Sequence, residues 1–163
     1  MRQPGSSGTP VILATFFVAA LLQVLPLPEV LERGRPEWIT MVLIYWVIAL
    51  PHRVGVFWGF SVGLFQDVLT GSVLGQHGLA LAVVSWLSLA AYKRLRVFPP
   101  LQQSAVMFMM IGSGSLIAYL IQDAVGRAHL APLWVLLPAL VSAVVWRPVF
   151  GLLRLIRHRF MVR

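Results

Sequence analysis

Two aspartates, Asp67 and Asp123, are the residues of this chain whose type could support acid–base chemistry inside a membrane. Two close carboxylates share a proton because both cannot easily ionise, and an intramembrane aspartyl hydrolase uses such a dyad. Neither aspartate has a recognisable flanking motif, and the chain lacks the Asn residues that lipoprotein signal peptidases use. Gly112-Ser113-Gly114-Ser115 offers hydroxyls, but Ile111 stands where the Gly-x-Ser-Gly of rhomboid-type proteases needs its first glycine. Small residues that let helices pack closely are the simpler reading. His77 is a candidate metal ligand. A metal site needs three or four ligands, no second His lies at i+3 or i+4, His52 falls on the opposite face, and His129 is distant in sequence. With no Cys, the chain has no thiol nucleophile, disulfide or thiolate site. We expect no catalytic set, no metal and no cofactor.

Two further patterns remain. Gly55, Gly59 and Gly63 recur every four residues, and successive i+4 positions drift only about 40° around a helix. The row therefore lets another backbone approach closely, either a helix of the same bundle or one of a partner. Asp67 follows one turn later and leads into Thr70-Gly71-Ser72-Val73-Leu74-Gly75-Gln76-His77-Gly78. A carboxylate at bilayer depth costs several kcal/mol, ~2.5–3.5 on insertion scales, and marks a functional candidate. Asp, Thr and Ser also bond local backbone readily, so a helix cap or loop tether is the competing reading. The segment is polar and flexible enough to re-enter the membrane, or to wall an outer cavity that takes a small molecule or lipid.

The elements that must carry these residues follow from composition. The chain has 163 residues, of which 59% are hydrophobic and 11% charged; its mean hydropathy is +0.85. Soluble domains carry about 25% charge, so a soluble enzyme or nucleic-acid domain is excluded as a first reading despite the net charge of +8. The expected fold is an all-α polytopic membrane protein, one integral domain over 1–163, with six transmembrane helices near 10–28, 37–50, 54–67, 78–92, 101–122 and 132–151. Six spans of ~20 residues leave no room for a soluble domain. The apolar run after Met1–Pro10 continues through Leu25, too long for a cleaved signal core, and reads as a retained span. Pro51-His52-Arg53 breaks spans two and three into a hairpin.

The basic residues set the orientation. With both termini inside, Arg2, Arg53, Lys93, Arg94, Arg96, Arg154, Arg157, Arg159 and Arg163 face the cytoplasm. Arg33, Arg35 and Arg127 face outward, and Arg147 snorkels from span six. Trp38, Trp134, Tyr92 and Trp146 suit interfacial anchoring, and the tail Arg154–Arg163 suits an anionic lipid surface or a solvated basic flank.

Several stretches stand out together: Arg35-Pro36-x-Trp38, Tyr45-Trp46, Ala49-Leu50-Pro51-His52-Arg53-Val54-Gly55, and Asp67-x-x-Thr70-Gly71-x-x-x-Gly75-Gln76-His77. Arg94-Leu95-Arg96-x-Phe98-Pro99 and Gln102-Gln103 continue the series. The ensemble resembles the rod shape-determining protein MreD family of Gram-negative bacteria. The likeness is strongest over Arg35–Leu89 and weakest in the last third. The resemblance implies a non-enzymatic, multi-pass protein of the bacterial inner membrane. Its partners would be MreC, RodA and its class B penicillin-binding protein, MreB and RodZ, and its role the guidance of lateral peptidoglycan synthesis. It also implies a fold similar to the substrate-binding components of energy-coupling-factor transporters. The residues expected to carry packing or partner contact are Pro51, His52, Arg53, Gly55, Gly59, Gly63, Asp67, Gly71, Gly75 and His77.

Overall fold

The structure, a computed structural model, describes residues 8–127 and 131–162. Arg2, His129 and Arg163, which entered the readings above, lie outside the described residues. Every regular element among the described residues is a helix: α1 (Thr9–Val24), α2 (Glu29–Glu32), α3 (Trp38–Ala49), α4 (Val56–Thr70), α5 (Gln76–Leu95), α6 (Pro100–Ala124), α7 (Pro132–Val135) and α8 (Leu137–Arg159). Three stretches, Gln76–Leu95, Pro100–Ala124 and Leu133–Arg159, are long and apolar enough to cross a membrane. Three shorter apolar helices, α1, α3 and α4, complete the bundle.

Local sequence explains the boundaries. Pro10 and Pro100 stand in the first turns of α1 and α6, where a missing N–H is harmless and the fixed φ favours a helix. Gly71 ends α4 with φ +64°, a left-handed conformation that favours glycine. Between the expected spans 10–28 and 37–50 lies the single turn α2. The basic tail continues α8 as helix to Arg159, across Pro148.

The core sits around α3. Every residue from Ile39 to Ile48 is buried, because α1, α5 and α8 all pack against this helix. A helix apolar on all sides belongs in such a place. At 12 residues it is about 18 Å long, well under the ~30 Å of a hydrocarbon core. Centrality explains how so short a helix persists: protein rather than lipid surrounds it. Trp46 donates from Nε1 to Thr15 Oγ1 at 2.8 Å, and Thr15 in turn donates to Ile12 O at 2.7 Å. Tyr45, Trp46, Trp146 and Phe150 form an aromatic cluster joining α3 to α8.

Ends of helices that stop early must find partners for their backbone. Arg96 closes the end of α3, donating from Nη2 to Ile48 O at 2.6 Å and to Ala49 O at 3.2 Å, and from Nε to Ile48 O at 3.1 Å. Its guanidinium also stands over Tyr92, 5.4 Å from the ring centre. Arg35 closes α1 by donating to Gln23 O and, at 2.7 Å, to Leu25 O. At the start of α3, the N–H groups of Glu37 and Trp38 reach Ser142 Oγ and Gln23 Oε1 at 2.8 and 3.1 Å. The bundle thus has two chemically distinct ends. Glu29, Glu32, Glu37, Asp67 and Asp123 fall at one; Arg53, Lys93, Arg94, Arg96, Arg154, Arg157 and Arg159 fall at the other.

Arg96→Gln removes the cationic cap of α3. It is expected to lower stability by about 1–2 kcal/mol, the worth of hydrogen bonds from a charged donor together with the helix-dipole contribution. Thermal unfolding in detergent, read by circular dichroism, measures the change; Arg94→Gln, one turn-position away without these bonds, is the control and should shift little.

Candidate functional site

The turn between α4 and α5 is organised by Asp67. Its side chain is fully buried, and five donors surround it. Oδ1 accepts from Ser72 Oγ at 2.7 Å, from His77 N at 2.9 Å and from His77 Nδ1 at 2.8 Å. Oδ2 accepts from Gly75 N at 2.8 Å and from Gly78 N at 3.4 Å. An ionised carboxylate only accepts, so the His77 proton belongs on Nδ1. The backbone carbonyl of Asp67 takes the N–H groups of Gly71 and Ser72. One residue therefore satisfies both the end of α4 and the first N–H groups of α5. Gly71 (φ +64°) and Gly75 (φ +93°) supply the left-handed corners that let the chain fold back onto it.

The glycine row faces the same hairpin. A Cβ at Gly59 would overlap Ser85 Oγ and lie 2.5 Å from Leu81 O. One at Gly63 would overlap His77 O and lie 2.6 Å from Gly78 Cα. Gly55 differs: it precedes α4, and a Cβ there meets only Leu89 Cδ1 at 3.6 Å. Gly59 and Gly63 thus admit the backbone of α5 itself. The opposite side of the hairpin leaves Phe57, Phe65, Val68 and Leu74 exposed.

Beside the turn is a cavity of about 240 Å³ whose wall includes Glu37, Thr40, Gln76, His77, Tyr119 and Trp134. Gln76 is buried and its Oε1 has no hydrogen-bond partner. Glu37 Oε2 accepts from Thr40 Oγ1 at 3.4 Å. The wall mixes acceptors with donors, Arg33, His77 and Tyr119 among them, and so offers polar contacts of both kinds.

The remaining candidates are dispersed. None of the five bonds to Asp67 comes from Asp123, which is exposed at the end of α6. Ser113 and Ser115 donate to Met110 O and Ile111 O of their own helix. Gly112 faces Leu136 and Ala139, and Gly114 lies against Val84, so this stretch packs α6 between α5 and α8. Ser72 Oγ lies 3.3 Å from His77 Nδ1, the nitrogen already turned to Asp67, and is not placed for activation by Nε2. No group of three His, Asp or Glu side chains is arranged to hold a metal among the described residues. Pro51, His52 and Arg53 form the turn at the basic end, where Arg53 Nη2 donates to Thr9 Oγ1 at 3.0 Å. Sequence reasoning did not find the roles of Arg35, Arg96, Glu37 and Gln76. Arg96 and its acceptors are 47–48 positions apart, and no local pattern signals such a cap.

An all-helical bundle with its charge divided between two ends and its polar side chains tied to helix termini defines an integral membrane protein. Residues 6–156 match the family described as rod shape-determining protein MreD. The rod shape-determining protein MreD of Haemophilus influenzae is 32% identical over 149 residues, covering 91% of this chain and 91% of that protein. The chain belongs to the rod shape-determining protein MreD family. No solved structure gives a significant match.

Three substitutions separate tether from ornament. Asp67→Ala strands buried N–H groups of Gly75 and His77 and is expected to cost about 3 kcal/mol or more, at about 1–3 kcal/mol for each orphaned group. Gly63→Ala forces α4 from α5 and should cost about 1–3 kcal/mol, whereas Gly55→Ala should stay within about 0.5 kcal/mol. Equal melting of the Gly63 and Gly55 variants would remove the close-approach argument.

Proposed function

We propose that the protein is a non-enzymatic scaffold of the cell-elongation machinery. It resides in the bacterial inner membrane as six spans with both termini in the cytoplasm. It binds MreC and, with RodA and its class B penicillin-binding protein, MreB and RodZ, helps guide lateral peptidoglycan synthesis and maintain rod shape. Family membership supports the setting. The gathering of Arg and Lys at one end supports the orientation, since cytoplasmic loops collect these residues.

The observation that carries the reading is the full engagement of Asp67 within its own turn. The buried carboxylate acts as a clamp, so the Asp67–His77 element is a shaped, rigid feature. Gly59 and Gly63 keep the hairpin thin, and its outward face carries Phe57, Phe65 and Val68 toward a partner helix or lipid. Pro51, His52, Arg53 and Gly55 form the turn that leads from α3 into α4, and Gly71 and Gly75 the corners of the turn between α4 and α5.

Single-cysteine variants at Phe57 and Phe65 should crosslink to the membrane helix of MreC, while one at Gly63 should not. In a strain lacking the native protein, Asp67→Asn keeps the shape of the clamp but only one of its two acceptor oxygens, so it should retain partial rod-shape complementation, and Asp123→Asn full complementation. Crosslinking only from Gly63 would sink the assignment of faces.

A second reading rests on the cavity beside Gln76. An unpartnered, buried Oε1 in its wall fits a protein that holds a small molecule or lipid at this end. Native mass spectrometry of the purified protein would then show a co-purifying ligand that Asp67→Ala, by releasing the turn, loses.

A further inference from the structure

We propose that the groove between α1 and α8 is a binding site for one acyl chain of an anionic phospholipid, with the phosphate at the basic end of the bundle. This reading is independent of the scaffold assignment. The groove has a volume of about 490 Å³ and is walled by Ala14 and Val18 of α1, Val42 of α3, Leu152 and Ile156 of α8, and Phe160 just beyond α8. Among the described residues its wall is apolar apart from Thr15 and the indole N–H of Trp38, and the Thr15 hydroxyl is already engaged by Trp46 and by Ile12 O. The groove therefore makes little polar demand on its occupant, which must be hydrocarbon along its length.

Dimensions and charge select the lipid. The α1 wall runs from Pro10 to Leu22, about 18 Å of helix. One acyl chain reaches about 15 Å, half of a ~30 Å hydrocarbon core, so it fits along this wall. It starts at the basic end: Pro10 follows Thr9, which Arg53 holds, and a Cβ on Gly8 would lie 2.8 Å from Val162 Cγ1 of the tail. Arg154, Arg157 and Arg159 alternate there with the groove residues Leu152, Leu153, Ile156 and Phe160. Among the described residues no Asp or Glu side chain lies at this end of the molecule, so a counter-charge from outside suits these arginines. A phosphodiester supplies it where the acyl chain begins. A partner helix fits less well: close helix contact wants small residues, and the α8 rim is Leu152, Ile156 and Phe160, between which a row of methylenes can lie.

The probes are dioleoyl phosphatidylglycerol and dioleoyl phosphatidylcholine, added separately to the full-length protein in detergent and counted by native mass spectrometry. The wild type should hold one phosphatidylglycerol in preference to phosphatidylcholine. Arg157→Gln with Arg159→Gln should weaken phosphatidylglycerol about 30-fold, at roughly one charge interaction per arginine. Val18→Trp, at a position 53% exposed, should fill the groove and abolish preferential retention with every charge intact. Leu152→Trp, 58% exposed on the opposite wall, decides the matter if Val18→Trp does not fold. Undiminished retention in the folded tryptophan variants, or equal retention of the two lipids by wild type, overturns the proposal. So does loss of a single-span partner from the tryptophan variants while phosphatidylglycerol stays bound.

Discussion

Backbone groups cannot be left unpaired where water is absent, and this constraint governs the bundle. Its centre is a helix too short to reach both water layers. α3 is enclosed by α1, α5 and α8, so its ends open into protein. Those ends are closed by side chains delivered from far along the chain: Arg96 at one, Ser142 and Gln23 at the other. The neighbours of α3 can surround it because its termini are satisfied in place. Had they required water, α3 would have had to lengthen or tilt, and the aromatic cluster of Tyr45, Trp46, Trp146 and Phe150 would have no fixed partner face.

The same constraint accounts for the polar residues that look reactive in the sequence. A carboxylate within an apolar helix invites a catalytic interpretation. Here Asp67 replaces solvent for the end of α4 and the start of α5. Its charge is balanced by several N–H and O–H dipoles and by the adjacent imidazole. Arg35 and Arg96 perform the corresponding task for carbonyls, where a cation also suits the negative end of a helix. One carboxylate, Asp67, thus serves orphaned N–H groups, and two guanidinium groups, Arg35 and Arg96, serve orphaned C=O groups.

How much of this can be read from residues alone depends on contrast. Order and character of the helices follow from hydropathy and from Pro26, Pro51 and Pro99-Pro100. The tether at Asp67 was one of two open readings, because Asp followed by Thr, Ser and two glycines is itself a local pattern. The direction of the glycine row was not legible. Gly59 and Gly63 show that something approaches closely, and only the return path of the chain shows that it is α5. The centrality of α3 was equally hidden: Ile39 to Ile48 is apolar on all sides, so periodicity names no face. Its shortness goes with its enclosure by protein. The caps from Arg35 and Arg96 depend on tertiary proximity that no spacing encodes.

The clamp at Asp67 bears on how the protein enters the membrane. All its partners lie within eleven positions, and the glycine contacts that follow join residues a few turns further on. Contacts so close in sequence form early, before distant elements are available. The α4–α5 pair can therefore leave the insertion machinery already paired, its carboxylate neutralised by its own turn and never presented alone to lipid. The enclosure of α3 must wait for α8, which follows α4 to α7 in the chain. Assembly then proceeds from a preformed hairpin toward a centre that is sealed when α8 docks.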